Sequence, residues 1–327
     1  MAEQSTRWLL VGTGDIVRKR VGAALAPHLV GVCGGRERAE AIAGEPGATE
    51  VFDDLDRALR ETSADAVYVA TPVHRHRSES LAAVSAGKHV LIEKPLGIDG
   101  DDAQQIHDAA ASAGVTAGCA YYRRCSPRFA HLAQLLESDA LGRIVMVRLC
   151  FWSWFRPAAD DPKLWRVDPA LSGGGPLADM ASHMFDLVIA LFGLPRSVSA
   201  NCATLAHDYA AEDTASAIMT LQHGAQLAAS IGWSSRTWRH EFEVIGTEGK
   251  VLWSPADAGK VTITMGRDIE EMVLPSAENV HQPLVDDFET AIAAGRPPIV
   301  PLEDAVATNR VLDAIYESSR SRRAVEL

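Results

Sequence analysis

The sequence predicts an α/β domain built on a parallel sheet, followed by an α+β domain with a large, mostly antiparallel open sheet. Through about residue 120, short apolar runs alternate with helix-like segments, which is the pattern of parallel strands joined by right-handed crossovers. From Gly142 onward, β-rich segments follow one another with turn signals between them, as in an antiparallel sheet. The chain has 327 residues with 47% hydrophobic content, enough for two domains of ordinary size. We place them at residues 1–122 and 123–327, with the C-terminal helix expected to pack back on the first.

Trp8 to Gly12 reads as the first buried strand. Gly12-Thr13-Gly14-Asp15-Ile16-Val17 follows at once and opens a helix-like segment through Ala26. Two glycines allow close backbone approach to a pyrophosphate, and a helix N-terminus presents free N–H groups to it. The alternative is an ordinary strand-to-helix turn, because the spacing is G-x-G-x-x-V and Val17 is larger than the glycine or alanine that packs helix closely on strand. The next strand, His28 to Cys33, ends at Gly34-Gly35-Arg36-Glu37-Arg38. An acid here would accept from the ribose hydroxyls of NAD, whereas arginine accommodates the 2′-phosphate of NADP. No acid precedes Glu37, so Arg36 and Arg38 favour NADP, with NAD as the alternative and plain surface arginines as the bland reading.

Asp53 to Glu61 then reads as a helix and Ala66 to Ala70 as a strand ending at Thr71-Pro72, followed by Val73-His74-Arg75-His76 and a helix from about Ser78. The next strand, Lys88-His89-Val90-Leu91-Ile92, stops abruptly at Glu93-Lys94-Pro95. Ligands of open α/β sheets bind beyond the carboxyl ends of the strands, so Lys94 would face a ligand held there. The competing reading is a solvated Glu-Lys pair in a turn. A helix over Gly100 to Ala113 and a strand over Val115 to Ala120 complete the domain, and Tyr121-Tyr122-Arg123-Arg124 marks the crossing to the second.

In the second half, Ile144 to Phe151, Val198 to Thr204, Thr214 to Gln222, Gln226 to Ile231, His240 to Ile245, Lys250 to Trp253 and Val261 to Met265 read as strands, and Leu284 to Ala294 and Leu302 to Ser319 as amphipathic helices. Between the first two strands lie Trp165-Arg166 and the run Ser172-Gly173-Gly174-Gly175-Pro176, which leads into a helix carrying Asp179 and His183. Four residues apart, these share a helix face, while Met180, Met184 and Leu187 form an apolar stripe. An acid and an imidazole together suit proton transfer. A structural i,i+4 pair and a metal site are the alternatives, the latter lacking an evident third ligand. The aromatic segment Phe151 to Phe155, with Arg156, is either ordinary strand packing or a surface that stacks on sugar faces.

A net charge of −12 disfavours nucleic acid as a general partner. Five scattered cysteines without a C-x-x-C predict neither a disulfide framework nor a zinc site, and we expect reduced, mostly buried thiols. The N-terminus runs directly into a strand without a signal-like segment, and no apolar run reaches membrane-spanning length, so a cytoplasmic location and no membrane partner are expected.

Taken together, these motifs make the chain resemble the glucose-fructose oxidoreductase, inositol dehydrogenase and rhizopine-catabolism family, Gfo/Idh/MocA. The resemblance runs nearly end to end, on the Gly12-x-Gly14 turn, Thr71-Pro72 with His76, Gly87-Lys88-His89-Val90 leading to Glu93-Lys94-Pro95, Trp165-Arg166, the Gly173 to Asp186 helix entry and the final Asp287-Phe288 helix. Val17, Val73 where asparagine is common, and His281 where tyrosine often stands depart from the pattern. The resemblance implies a Rossmann domain and a substrate-binding sheet domain, with Lys94, Asp179 and His183 as the catalytic group and no metal. It implies cofactor contacts from Gly12, Thr13, Gly14, Asp15, Ile16, Arg36, Arg38, Thr71, Pro72, His76, Glu93, Lys94, Trp165 and Arg166.

The expected reaction is hydride exchange between NADP(H) and a secondary alcohol or ketone of a sugar, polyol or related compound. An imidazole's ordinary pKa of ~6.5 makes His183 the better acid/base, against ~10.4 for an ammonium. Lys94 would then hydrogen-bond the reacting oxygen, although desolvation and the oxidised nicotinamide's charge could instead make it the proton-transfer group. Asp179 would orient the substrate or the imidazole. Other outcomes are a dihydrodiol or deoxysugar-intermediate dehydrogenase, and a non-catalytic dinucleotide-sensing regulator that would not need all three residues. The open sheet face is expected to bury itself in a homodimer or homotetramer.

Overall fold

The computed structural model describes residues 5–44 and 49–327. The chain divides into two compact units. The first comprises residues up to Gly97, Asp101–Tyr122 and Ala277–Val306; the second comprises Ile98–Gly100, Arg123–Ser276 and Ala307–Leu327.

Among the described residues, the first unit holds a six-stranded parallel sheet of β1 (Trp8–Val11), β2 (Leu29–Cys33), β3 (Glu50–Phe52), β4 (Ala66–Val69), β5 (His89–Ile92) and β6 (Ala117–Cys119), in the order β3-β2-β1-β4-β5-β6. Its central strands are continuous apolar runs because both faces are covered: every residue of β1 and β4 is buried. Phe288, in the helix Gln282–Ala294, is fully buried with its ring 5.6 Å from that of Trp8, whose indole N–H donates to Glu289 Oε1 at 2.7 Å. Residues 277–306 therefore belong to this unit's core. The strand order reverses between β1 and β4, which is where open α/β sheets form a ligand crevice. The short strand β3 has one buried residue in three, too weak a pattern to read from sequence.

The second unit carries a nine-stranded sheet of β7 (Ile144–Trp154), β8 (Ser197–Ala203), β9 (Thr214–Thr220), β10 (Gln226–Gly232), β11 (Ser234–Gly246), β12 (Gly249–Ser254), β13 (Lys260–Met265), β14 (Asp268–Val273) and β15 (Val325–Glu326). The order is β14-β13-β12-β11-β7-β10-β9-β8-β15, antiparallel except that β10 runs parallel to β7. One face is apolar: Ala215, Ala217 and Met219 of β9 are buried while Ile218 between them is 60% exposed. The helix Ser182–Phe192 lies in this unit's core, with Met184, Phe185, Leu187 and Val188 buried. The helical stretch Pro169–Phe192 is long and apolar enough to cross a membrane, yet most of it is buried in the fold. All five cysteines are free; Cys33 and Cys119 are buried and the other three only partly.

Candidate active site

Four strand ends of the first unit bring together most of its candidate residues. Gly12 follows β1 at φ +109°, a backbone region closed to residues with a Cβ, and a Cβ there would overlap the Ala70 carbonyl at the end of β4. Gly14 and Gly35 instead face open space: a Cβ built on either meets nothing within 4 Å. Thr13 is buried against Gly34, which locks the β1 and β2 turns together. Asp15 and Ile16 begin the helix, and Asp15 binds Arg18 and Lys19, each at 2.8 Å. At Val17 the helix widens into a π turn, Val17–Val21, with Val17 fully buried. Arg36 and Arg38 are exposed on the first turn of the helix Arg36–Ala43, Arg36 only loosely paired with Glu40 at 3.4 Å.

After β4 and β5 the structure is tightly braced. His76 is 1% exposed, with its ring nitrogens 3.0 Å from the Pro95 carbonyl and 2.9 Å from the Thr71 carbonyl. Its ring thus ties the Thr71-Pro72 turn to the Glu93-Lys94-Pro95 turn, and burial holds its pKa below the usual value. Thr71 Oγ1 donates to Glu79 at 2.5 Å. Glu93 is buried at the end of β5; Tyr68 donates to its Oε1 at 3.0 Å, and His281 Nε2 stands 3.3 Å from the same oxygen. Burial raises this carboxyl's pKa, but His281, Lys94 and Tyr68 together outweigh it and hold the pKa below the usual range. His76 and Glu93 thus both brace the loops that follow β4 and β5. Lys94 is half-buried at the same edge, immediately after Glu93.

The second unit holds Trp165, Arg166, Asp179 and His183. Trp165 and Arg166 lie in the 3-10 turn Leu164–Val167, with the guanidinium 5.6 Å from the indole ring centre. Arg166 donates to Asp179 Oδ2 at 3.0 Å, an interaction the motifs did not foretell. Asp179 sits in a π turn, Leu177–Ala181, that runs directly into Ser182–Phe192, so the regular α-helical spacing expected between Asp179 and His183 is interrupted. Such wide turns occur frequently at functional sites. His183 is 4% exposed. One turn further on, Asp186 is fully buried in a bidentate pair with Arg124, at 2.9 and 2.7 Å.

An amino-terminal model described as "Oxidoreductase family, NAD-binding Rossmann fold" matches residues 6–121, and the GFO/IDH/MocA C-terminal domain model matches residues 129–252. The D-xylose 1-dehydrogenase (NADP+) 2 of Haloferax volcanii is 30% identical over 97% of this chain and 98% of its own. The chain belongs to the Gfo/Idh/MocA family of oxidoreductases. The 1,5-anhydro-D-fructose reductase of Ensifer adhaerens, 26% identical over 98% of each chain, is a further relative. The aldose-aldose oxidoreductase of Caulobacter crescentus, solved with glycerol, superposes with a TM-score of 0.89 at 26% identity over 99% of this chain and 100% of that one.

As a Gfo/Idh/MocA oxidoreductase the chain has an NAD(P)-binding Rossmann domain, and its strand-end edge fits a dinucleotide. At Gly14 and Gly35 no neighbouring atom lies within 4 Å of a Cβ position, so neither turn blocks the approach of a dinucleotide. The aromatic segment of β7 is packed on both sides: Phe155 lies 4.7 Å from Trp233, and Trp154 lies 4.5 Å from His207 beneath the Arg236 guanidinium. Trp154 is nevertheless 36% exposed. Glu212 and Tyr316 carry no motif, and nothing in the sequence places them beside the glycine run; Asp186 closes the Gly173 to Asp186 motif, but nothing in the sequence pairs it with Arg124.

Proposed function

We propose that this protein is an NADP(H)-dependent dehydrogenase of a sugar or polyol alcohol, with aldoses as the first substrate class to test. The observation that carries the reading is the make-up of the strand-end edge. Glycines there leave room for the dinucleotide, exposed Arg36 and Arg38 stand where an acid would select NAD, and Lys94 follows β5. The full-length likeness to an NADP+-dependent D-xylose dehydrogenase supports the same cofactor and substrate class.

When bound, the dinucleotide supplies hydride exchange at its nicotinamide. The chain's own residues do the rest. Arg36 and Arg38 hold the 2′-phosphate by charge-assisted hydrogen bonds. His183 moves the proton at the alcohol oxygen, Lys94 donates a hydrogen bond to that oxygen as negative charge develops on it, and Asp179, restrained by Arg166, orients the substrate. Initial rates with D-xylose and D-glucose, each with NADP+ and NAD+, test the assignment, together with fluorescence titrations of NADPH and NADH. NADPH binding weakened at least tenfold by Arg36→Ala with Arg38→Ala, and turnover lost in Lys94→Ala and His183→Ala, are the expected results. A folded Lys94→Ala or His183→Ala variant with full turnover would overturn the catalytic roles.

A further inference from the structure

The glycine run ahead of the Asp179 turn is bracketed by two side chains from remote parts of the chain. Glu212, 8% exposed, lies in the connection between β8 and β9, and Tyr316 lies in the helix Leu302–Ser321. Glu212 Oε2 accepts from the Gly175 N–H at 2.8 Å, and its Oε1 accepts from the Leu177 N–H at 3.1 Å and from the Tyr316 hydroxyl at 3.1 Å. A Cβ on Gly174 would overlap the Tyr316 hydroxyl, and one on Gly175 would overlap the Glu212 carbonyl. These two glycines are bare because Tyr316 and Glu212 occupy the space.

Helix starts are ordinarily capped by a neighbouring serine, threonine or aspartate. Here the cap comes from 35 and 37 residues away and is a buried carboxylate, which costs more to desolvate than a local hydroxyl would. A remote cap joins segments that a local one leaves independent. The Gly175 carbonyl accepts from the Asp179 N–H at 3.0 Å, so the hydrogen-bonded chain runs from Tyr316 through Glu212 and Gly175 to Asp179 itself. The residue before Glu212 does the same for the other half of the ion pair: the Ala211 N–H donates to the Val167 carbonyl at 3.2 Å, next to Arg166. The residue after it stiffens the loop, since Asp213 accepts from the N–H groups of Leu205, Ala206 and His207 at 2.7–3.0 Å. Three consecutive residues thus hold the Arg166 turn, the Asp179 turn and their own loop.

We propose that Glu212, braced by Tyr316, is a positioning residue for the reaction: it sets the Asp179 turn against Arg166 and fixes where the helix carrying His183 begins. The inference rests on the reading of Asp179 and His183 as the substrate-orienting and proton-transfer groups. Glu212→Gln tests it most directly, because the amide turns one acceptor into a donor facing donors. Tyr316→Phe removes a single donor and serves as the milder variant should Glu212→Gln fail to fold.

With D-xylose and NADP+ as probes, Glu212→Gln is expected to lower kcat at least tenfold while changing NADPH affinity less than twofold, with Tyr316→Phe intermediate. Hydrogen exchange, which needs no substrate, is expected to show the Gly175, Leu177 and Asp179 amides exchanging at least tenfold faster in Glu212→Gln, with β1 and β4 amides unchanged. Wild-type kcat or wild-type exchange at these amides in a folded variant overturns the proposal. So does a kcat loss matched by an equal loss of NADPH binding. His183→Ala, assayed in parallel, separates the two levels. If it keeps full turnover, the proton-transfer reading fails and the inference falls with it; if it is inactive while Glu212→Gln behaves as wild type, the inference alone fails.

Discussion

Arg166 and Asp179, thirteen residues apart in sequence, meet at 3.0 Å with their side chains 32% and 18% exposed. A pair this accessible to solvent contributes little to stability, about 1 kcal/mol or less. What it does is geometric: it restrains a carboxylate in the π turn that runs into the helix carrying His183. Arg166→Ala is therefore expected to leave the urea midpoint nearly unchanged while reducing kcat with an aldose by about tenfold, a loss of about 1.4 kcal/mol in transition-state stabilisation. A large fall in stability with unchanged kcat would mark the pair as structural.

The Arg124–Asp186 pair presents the opposite case. Both side chains are almost fully buried, and two parallel hydrogen bonds hold them. Removing one partner leaves a buried charge uncompensated, so Arg124→Ala or Asp186→Ala is expected to cost about 3–5 kcal/mol in chemical denaturation. Replacing both with apolar residues of similar volume is expected to recover much of that loss.

Gly12 and Gly14 share one turn but differ in what alanine would do. At Gly12 a Cβ meets the Ala70 carbonyl at a positive φ, so Gly12→Ala should destabilise the fold by more than about 1 kcal/mol. At Gly14 nothing lies within 4 Å, so Gly14→Ala should fold normally and instead weaken NADPH binding at least tenfold by filling the cradle. Thermal denaturation and fluorescence titration distinguish the two.

His240 makes the stability of the second unit depend on pH. Burial, reinforced by the Arg123 guanidinium and opposed by Asp257, lowers its pKa from 6.5 to about 4. Between these values the unfolded chain binds a proton that the folded chain refuses, so this stabilisation is complete above pH 6.5 and is lost as pH falls towards 4. The full effect is about 3 kcal/mol. Urea unfolding of wild type and His240→Gln from pH 7 to 4 should show a shallower acid-side decline in the variant; parallel curves would contradict the assignment.

The parallel domain was largely legible because its strands are buried on both faces and read as plain apolar runs: Trp8–Val11, Ala66–Val69 and His89–Ile92 fall where the sequence predicts strands. The antiparallel half was legible strand by strand, but not in its pairing. Paired residues of the parallel neighbours β7 and β10, such as Met146 and Gln226, are 80 positions apart, and no local pattern announces that contact. In this half, as with β3 in the first, two strands left no recognisable signal. β14 is nearly all exposed and lacks alternation, and β15 is two residues long.

The sequence by itself determined which chemistry is present: the glycine turn, Lys94 at a strand end, two arginines after β2, and Asp179 with His183 behind a glycine run. These are local statements, written in backbone preference and side-chain type. Only the tertiary structure decided how those groups are held. From sequence the Gly174-Gly175 pair is only a run that leads into a helix, yet it is bare because Tyr316 and Glu212 fill the space its side chains would need. Likewise, nothing in the sequence around His76 shows that its two ring nitrogens face backbone carbonyls five and nineteen residues away. Such contacts depend on which distant segments the fold brings within 3 Å, and hydrogen bonding at that range has no signature in neighbouring residues.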